Sequence, residues 1–462
     1  MKVILLYPGV IVAADMTEKK FKEVPNYHIP LGILYLGQVL KNAGHDITLF
    51  DHFISKLSVN EVVEWIKKKD PDVLGFSVLS ATFATANAIA RKIKEWNPNL
   101  LIVYGGYLPT FCSREILKYC DYVDLIVRGE GEETFVDLLD SLEKRKSLSG
   151  ILGISYRKNG SIMENPDRPL IQDLDKIPFP DRKLLQRSYQ FHGKITTIIS
   201  TRGCPYRCRF CSCWKFSRGK WRLRSIENVI EEMSYLQSEG YRELLFTDDC
   251  FNANPKRILK FARLIKKEKL DFDWHINGRI NRSEAQLLRT MVKTGCKTII
   301  YGIESANQRI LDYYHKRTTP SMAITAVKNA KKSGIEYIGA GFIIGAPIET
   351  QEEVLNTIKF GLKLQRYGLT ALQFQLLFLS PGTALYEQYQ SMGYIDQEKD
   401  WGRELIAVEV VPSSLTRQYL EVLAKNAYKK FITNKRYLIY EYLKSIRSSY
   451  RLQGLYRLLQ PK

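Results

Sequence analysis

No run of eighteen uninterrupted apolar residues occurs in this 462-residue chain, which excludes a helix of the length that a bilayer core demands. The first apolar run, Lys2 to Tyr7, is broken at Pro8, too early for the apolar region of a secretory leader. The chain therefore reads as cytoplasmic. Cysteine is scarce, at eight residues, and in a long intracellular chain that argues against a disulfide framework. No G-x-G-x-x-G follows the first strand pattern, so a nicotinamide site is poorly supported. Acidic residues are short as well: 49 Asp and Glu face 69 Lys and Arg, for a formal net charge of +20. That imbalance favours an anionic partner. It is concentrated at the C-terminus, where eleven Lys and Arg face two Glu between Arg417 and Lys462.

Hydrophobic residues make up 45% of the chain, enough for a large core and two or three domains. Through residue 150, short β-branched runs alternate with helical patterns. The strands fall at 2–7, 46–50, 72–77, 100–104 and 124–127. Five such units predict a doubly wound, Rossmann-like parallel sheet, whose ligands bind beyond the carboxyl ends of the strands. Those ends carry Pro8-Gly9, Ser77, Gly105-Gly106 and Gly129-Glu130-Gly131. Either the backbone admits a bulky ligand there or the glycines only form βα turns. Residues 151–190 read as a linker, with a hairpin around Asn159-Gly160 and then Pro166, Pro169, Pro178 and Pro180.

Six further strand patterns between 191 and 385 predict a partial (β/α)6 barrel with its chemistry on the C-terminal rim. Residues 386–462 form a basic helical region. There Leu438, Ile439, Tyr442, Leu443, Ile446 and Tyr450 make an i, i+3, i+4 stripe, with Lys444, Arg447 and Arg451 off its centre. Either this stripe packs on the barrel beneath a solvated basic face, or the helix attaches peripherally to anionic lipid.

Cys204, Cys208 and Cys211 stand at C-x3-C-x2-C spacing just after the first barrel strand. An iron–sulfur cube normally takes four thiolates, so three leave one iron open to a substrate or cofactor. Zinc would need a fourth ligand. Cys213 is close, but C-x3-C-x2-C-x-C is cramped for a tetrahedral site, and no second C-x2-C or H-x3-5-H pair exists. Cys213 and Cys250 line this region without an assigned role, and Cys112, Cys120 and Cys296 read as small buried hydrophobes. His275 and Arg279, near the end of the third barrel strand, point to the rim by position; each is either a ligand contact or structural.

The spacing C-x3-C-x-aromatic-C, filled by Cys204, Cys208, Phe210 and Cys211, resembles the signature of the radical S-adenosylmethionine superfamily. The resemblance implies a [4Fe-4S] cluster on the three cysteines. Its open iron would chelate S-adenosylmethionine, which one electron cleaves to a hydrogen-abstracting 5′-deoxyadenosyl radical. Thr247 to Phe251 resembles the segment that meets the methionyl amino group, making Asp248 and Asp249 candidate contacts, although such acids also cap helices. Gly302-Ile-Glu-Ser305 resembles the family's corresponding segment, making Glu304 and Ser305 candidate contacts. In Gly345-Ala-Pro-Ile-Glu-Thr350, Glu349 and Thr350 are expected to begin a helix.

The N-terminal block resembles that of the cobalamin-binding branch, in Ile29 to Leu36, Gly105-Gly106 and Arg128 to Thr134. The cobalamin contacts implied are Ser77, Gly105, Gly106, Gly129, Glu130 and Gly131. The D-x-H-x-x-G motif of other cobalamin proteins is absent after the first strand, where Tyr7-Pro8-Gly9 stands, and His28, His45 and His52 are out of place. A base-off cobalamin without a protein histidine on cobalt is the expectation. Tyr107-Leu108 also stands where relatives often carry histidine.

The function implied is a cobalamin-dependent radical enzyme that methylates an unactivated carbon of a small-molecule or lipid-like substrate, fed by an external one-electron donor such as flavodoxin or ferredoxin. The alternative is a radical cyclase or ring-modifying enzyme of tetrapyrrole or hopanoid type. A methylthiotransferase would need a second, N-terminal cluster, for which Cys112 and Cys120 are too few. A nucleic-acid-binding module would leave the cysteine loop unexplained, so no nucleic acid partner is expected.

Overall fold

The computed structural model describes residues 1–10, 29–55, 57–185, 195–396, 398–402, 405–448 and 450. His28, Arg451 and the side chains of Ile446 and Arg447 lie outside the described set. The chain divides into two compact units. The first comprises Met1–Gly203, Cys211–Glu232 and Ser380–Glu404; the second comprises Cys204–Phe210, Met233–Leu379 and Leu405–Lys462.

The first unit is built on β1 (Lys2–Tyr7), β2 (Asp46–Asp51), β3 (Val73–Ser77), β4 (Leu101–Gly105), β5 (Leu125–Val127), β6 (Ile154–Lys158) and β7 (Ser161–Glu164). They form one sheet in the order β2-β1-β3-β4-β5-β6-β7. The first five pair in parallel. Successive side chains of a strand point to opposite faces, and here both faces are buried. Ile4, Leu6, Leu74, Phe76, Ile102 and Tyr104 meet Val62, Ile66, Phe83 and Ile89 on one side. Val3, Leu5, Val73, Val103, Leu125 and Val127 meet Leu31, Leu34, Phe135 and Leu138 on the other. The predicted doubly wound sheet is therefore present. The hairpin expected within the linker instead extends this sheet, because β6 pairs antiparallel with β5 and buries Ile154 and Tyr156.

In the order 2-1-3-4-5 the strand sequence reverses between β1 and β3, and ligands of such sheets lie beyond the carboxyl ends at that switch point. Register aligns these ends: Ser77 is opposite Gly105, and Gly105 opposite Val127. Gly106, directly after β4, has φ +101°, and a Cβ there would stand 2.9 Å from the Val78 carbonyl oxygen.

Next come β8 (Ile195–Ile198), a two-stranded ribbon of β9 (Thr201–Arg202) and β10 (Arg222–Leu223), then β11 (Glu243–Phe246), β12 (Asp273–Gly278), β13 (Cys296–Glu304), β14 (Tyr337–Ile344) and β15 (Ala371–Leu376). The larger sheet runs β15-β14-β13-β12-β11-β8, with parallel pairing from β11 to β15. This matches the six strands expected of a partial barrel. Its helices follow local rules. Pro255–Lys267 starts with proline at its first position and Asn254 as cap, whose side chain accepts from the Arg257 amide at 3.2 Å. It buries Ile258, Phe261, Ala262 and Ile265 at helical spacing. Phe261 joins Phe246, Phe251 and Trp274 in an aromatic cluster with centroids 4.7–5.9 Å apart.

Of the C-terminal helices, Arg417–Ile432 packs Leu420 and Ala427 against Ile344, Val354 and Ile358. The following helix, Lys435–Arg447, holds to the fold by Tyr437, whose hydroxyl donates to the Thr370 carbonyl at 2.7 Å. Its apolar stripe does not pack on the barrel: Leu438, Ile439, Tyr442 and Leu443 are 51, 61, 66 and 50% exposed. Tyr450 does pack, against His275 and Tyr337.

Because Gly106 combines a left-handed backbone with a close carbonyl, Gly106→Ala is expected to lower the unfolding free energy by about 1–3 kcal/mol, the usual cost of such strain, as read from denaturant titration of the protein.

Candidate active site

The cysteine loop is fixed by its own backbone and its aromatics. The Arg209 amide donates to the Tyr314 carbonyl at 3.0 Å, the Arg209 guanidinium lies over the Tyr313 ring at 5.0 Å, and Phe210 meets Tyr314 edge-on at 5.1 Å. Cys204 and Cys208 are half-buried and Cys211 is exposed, and none of the three is in a disulfide. Three thiols within eight residues are the donor set that a three-cysteine cluster takes.

The surroundings of this loop are built to receive negative charge. The Cys250 thiol donates to Cys204 and lowers its pKa to about 7, against the opposing effect of burial. The same bond, together with burial, pushes the Cys250 thiol upward. Arg279, just past the end of β12, donates from Nη1 to the Cys208 sulfur at 3.5 Å and lies 3.7 Å over the Tyr206 ring. Asp249 is exposed and close enough to act electrostatically on Cys204, whereas Asp248 is fully buried. At the end of β13 the Glu304 carboxylate accepts from Lys316 Nζ at 2.6 Å, and that ammonium lies 5.9 Å from the Phe210 ring centroid. Cys204, Cys208, Phe210, Asp249, Glu304 and Arg279 thus come together.

Other candidates sit elsewhere. Ser305 is fully buried and shares a 3.1 Å hydrogen bond with the Thr357 hydroxyl, in the helix Gln351–Leu364. His275, expected toward the rim, lies lower in the strand. Its Nε2 is 2.8 Å from Glu243 at the start of β11, and the Tyr450 hydroxyl is 3.4 Å from it. Four residues of β-strand, roughly 13 Å at 3.3 Å per residue, separate it from Arg279. Thr350 caps its helix in a capping box with Glu353, as expected. Glu349 instead folds back on the turn, where its Oε2 accepts from the Gly345 and Ala346 amides at 2.7 and 3.1 Å. No sequence pattern marks Asn252 or Tyr206, and the one signal for Lys316 is its pairing with Glu304 twelve residues earlier.

In the first unit, Ser77, Gly105 and Gly106 line the carboxyl ends of β3 and β4. Gly129 follows β5, its amide donating to the Thr110 hydroxyl at 2.9 Å. Gly131 precedes the helix Glu132–Glu143. A Cβ on Gly129 would find no atom nearer than 4.0 Å and one on Gly105 none nearer than 3.5 Å, so this edge leaves backbone open, as a large planar ligand requires. Glu130 is committed to protein partners. It receives Arg202 at 2.8 Å, Arg222 at 2.8 and 2.9 Å and the Ile171 amide at 2.9 Å. Burial opposes its ionisation, but the two guanidinium groups prevail and hold its carboxyl below the usual range.

Comparison with known proteins accords with this arrangement. The sequence model of the radical SAM superfamily matches residues 198–361, and that of the B12 binding domain matches residues 21–139. An uncharacterised methyltransferase of Pyrococcus horikoshii is 37% identical over 445 residues, covering 95% of this chain and 94% of the relative. The anaerobic magnesium-protoporphyrin IX monomethyl ester cyclase of Rubrivivax gelatinosus is 28% identical, covering 91% and 78%. The solved structure of the radical S-adenosylmethionine methyltransferase TsrM from Kitasatospora setae superposes with a TM-score of 0.69 at 17% identity, covering 84% of this chain and 76% of that one. The chain belongs to the radical S-adenosylmethionine superfamily, in the branch that carries a B12-binding domain ahead of the catalytic one. It is an enzyme whose cofactors are a [4Fe-4S] cluster, S-adenosylmethionine and cobalamin.

The Glu349 turn gives a pH signature. Burial raises this carboxyl from 4.5 to about 7, against its two amide donors. A raised folded-state value means that the contribution to stability is complete below about pH 4.5 and is lost as pH climbs through about 7. At 1.36 kcal/mol per unit, the stability of the wild type relative to Glu349→Gln should fall by roughly 3 kcal/mol across that window and flatten above it, as checked by denaturation at pH 5, 6, 7 and 8.

Proposed function

We propose that the enzyme methylates an unactivated carbon of a hydrophobic small molecule. The observation that carries this reading is the pairing, in one chain, of a three-thiol loop with an open switch-point sheet of the B12-binding type, together with end-to-end similarity to a methyltransferase-named relative. When bound, the cluster, S-adenosylmethionine and cobalamin supply the electron, the radical initiator and the methyl carrier. The chain supplies the rest. Cys204, Cys208 and Cys211 would hold the cluster, a three-thiolate set that would leave room for S-adenosylmethionine. Asp249 offers an accessible carboxylate to the methionyl ammonium, and the Lys316-held Glu304 is fixed in place as a second polar contact. Ser77, Gly105, Gly106 and Gly129 would give a cobalamin ring backbone to rest on. An external one-electron donor of the flavodoxin or ferredoxin type completes the system. Ring closure without methyl transfer is the second reading, favoured by the similarity to the magnesium-protoporphyrin ester cyclase.

Among the described residues no helix is long and apolar enough to cross a membrane. The outward face of Leu438, Ile439, Tyr442 and Leu443, beside Lys435 and Lys444, has the composition of an interfacial helix. It suits a peripheral contact with anionic lipid, and so a substrate drawn from the membrane.

Two measurements check these readings. The anaerobically reconstituted protein, given reductant, S-adenosylmethionine and cobalamin, is expected to form S-adenosylhomocysteine alongside 5′-deoxyadenosine, and Cys208→Ala neither; 5′-deoxyadenosine without S-adenosylhomocysteine would select the cyclase reading. The full chain should also co-sediment with phosphatidylglycerol vesicles and release with salt, and Ile439→Glu/Tyr442→Glu should lower the bound fraction at least tenfold. Equal sedimentation of the wild type and this variant would reject the lipid contact.

A further inference from the structure

Four arginines are buried among the described residues: Arg182, Arg222, Arg224 and Arg279. Three of them end on carboxylates, Arg182 and Arg224 on Glu232 at 2.7 and 2.5 Å and Arg222 on Glu130 at 2.8 Å. Arg279 does not. Only 6% of it is exposed, yet its partners are the Cys208 sulfur, the Lys316 carbonyl, the Asn281 amide oxygen and the Tyr206 ring. Burying a guanidinium without an anion is costly. Among the described residues the anion-forming group that its guanidinium hydrogen-bonds is the Cys208 sulfur, and its charge also reaches the thiols of Cys204 and Cys250.

Its position is also enforced. Asn252 clamps the backbone on both sides, accepting from the Arg279 amide at 2.7 Å and donating to the Arg279 and Arg282 carbonyls at 2.8 Å each. Gly278 makes room for this clamp, since a Cβ there would stand 3.2 Å from the Asn252 side-chain oxygen. Tyr206, between Cys204 and Cys208 in the loop itself, lies beneath the guanidinium, its ring centroid 3.7 Å from the Arg279 Cζ. An exposed arginine could swing away from the thiol; this one is held against it from both sides.

We propose that Arg279 is a positioning residue that sets the reduction potential of the cluster, its fixed positive charge on the Cys208 sulfur favouring the reduced, more negative form. Hydrogen bonds to cluster sulfurs and local charge are established determinants of such potentials. Removing the charge should make the cluster harder to reduce, without removing any ligand. The inference rests on the cluster and not on methyl transfer, so the test is made without S-adenosylmethionine, cobalamin or substrate.

The full-length wild type, Arg279→Gln and Arg279→Lys are reconstituted anaerobically, assayed for iron and sulfide, and titrated electrochemically with the reduced cluster followed by electron spin resonance. Expected is full iron content in all three. The Gln variant should show a midpoint displaced to more negative potential by at least a tenfold change in the reduction equilibrium, about 59 mV for a one-electron couple. The Lys variant, which keeps the charge, should recover part of that displacement. A wild-type midpoint in Arg279→Gln overturns the proposal, as does an equal displacement in both variants. Should the Gln variant fail to take up iron, Asn252→Ser, which loosens Arg279 without altering it, is titrated instead; a smaller displacement in the same direction supports the proposal and a wild-type midpoint overturns it.

Discussion

Three thiols within eight residues are a donor set that would concentrate negative charge once a cluster is bound, and several groups of the second unit stand where they would meet that charge. The Cys250 thiol donates to Cys204, Arg279 donates to Cys208, and Lys316 brings an ammonium over the Phe210 ring. Cys250 and Arg279 come from the loops that follow β11 and β12, and Lys316, past the short helix Gln308–Tyr313, reaches back to Glu304 at the end of β13. Parallel strands put all of their carboxyl ends on one side, so residues distant in sequence converge on the loop without any long-range adjustment. The topology and the charge of the loop are thus one constraint.

The first unit meets a different demand. A large ligand at a switch point needs exposed backbone, and exposed backbone beside a sheet edge needs support from below. Glu130 supplies it: buried and ionised, it gathers Arg202 and Arg222 from the two strands of the β9–β10 ribbon, and Glu132 takes the other end of Arg202 at 2.5 Å. Such a pairing brings little net stability over apolar packing, but losing one member leaves the others buried and uncompensated. What it fixes is geometry. The acid in the G-E-G-E turn thus anchors both strands of the β9–β10 ribbon within the first unit. The resemblance makes Glu130 a cobalamin contact, and in the fold its carboxylate is held by Arg202 and Arg222.

What was legible in the sequence was whatever periodicity and spacing encode. The strands of both sheets, the cysteine loop and the Thr350 cap follow from local pattern alone. Placement across strands was not legible. His275 and Arg279 lie four residues apart, and only the pairing of β12 with β11 sends one to Glu243 and the other to Cys208. The hairpin at 151–164 carried a clear turn, but its attachment to β5 depends on an edge that only the folded sheet presents. The stripe from Leu438 to Leu443 was legible as amphipathic, yet periodicity cannot say which face is inward; here Tyr437 binds the fold and the more apolar residues point out.

The segment Gly302 to Ser305 shows how a motif becomes physics once folded. Glu304 has φ +69°, a left-handed conformation that costs a non-glycine residue of order 1–3 kcal/mol, and the pairing of β13 with β14 slips between Gly302 and Glu304. This bulge turns the carboxylate back across Gly302, where a Cβ would stand 2.5 Å from Glu304 Oε1 and 2.9 Å from Lys316 Nζ. Glycine is therefore required at 302 by the side chain at 304 and its ammonium partner. Ser305, buried on Thr357, ties the bulge to the helix behind it. Strain of this kind persists only where surrounding contacts over-determine it. It leaves the one carboxylate on this strand end held by Lys316, the residue whose carbonyl also receives Arg279, so the acid at β13 and the cation at Cys208 are positioned by the same short stretch of chain.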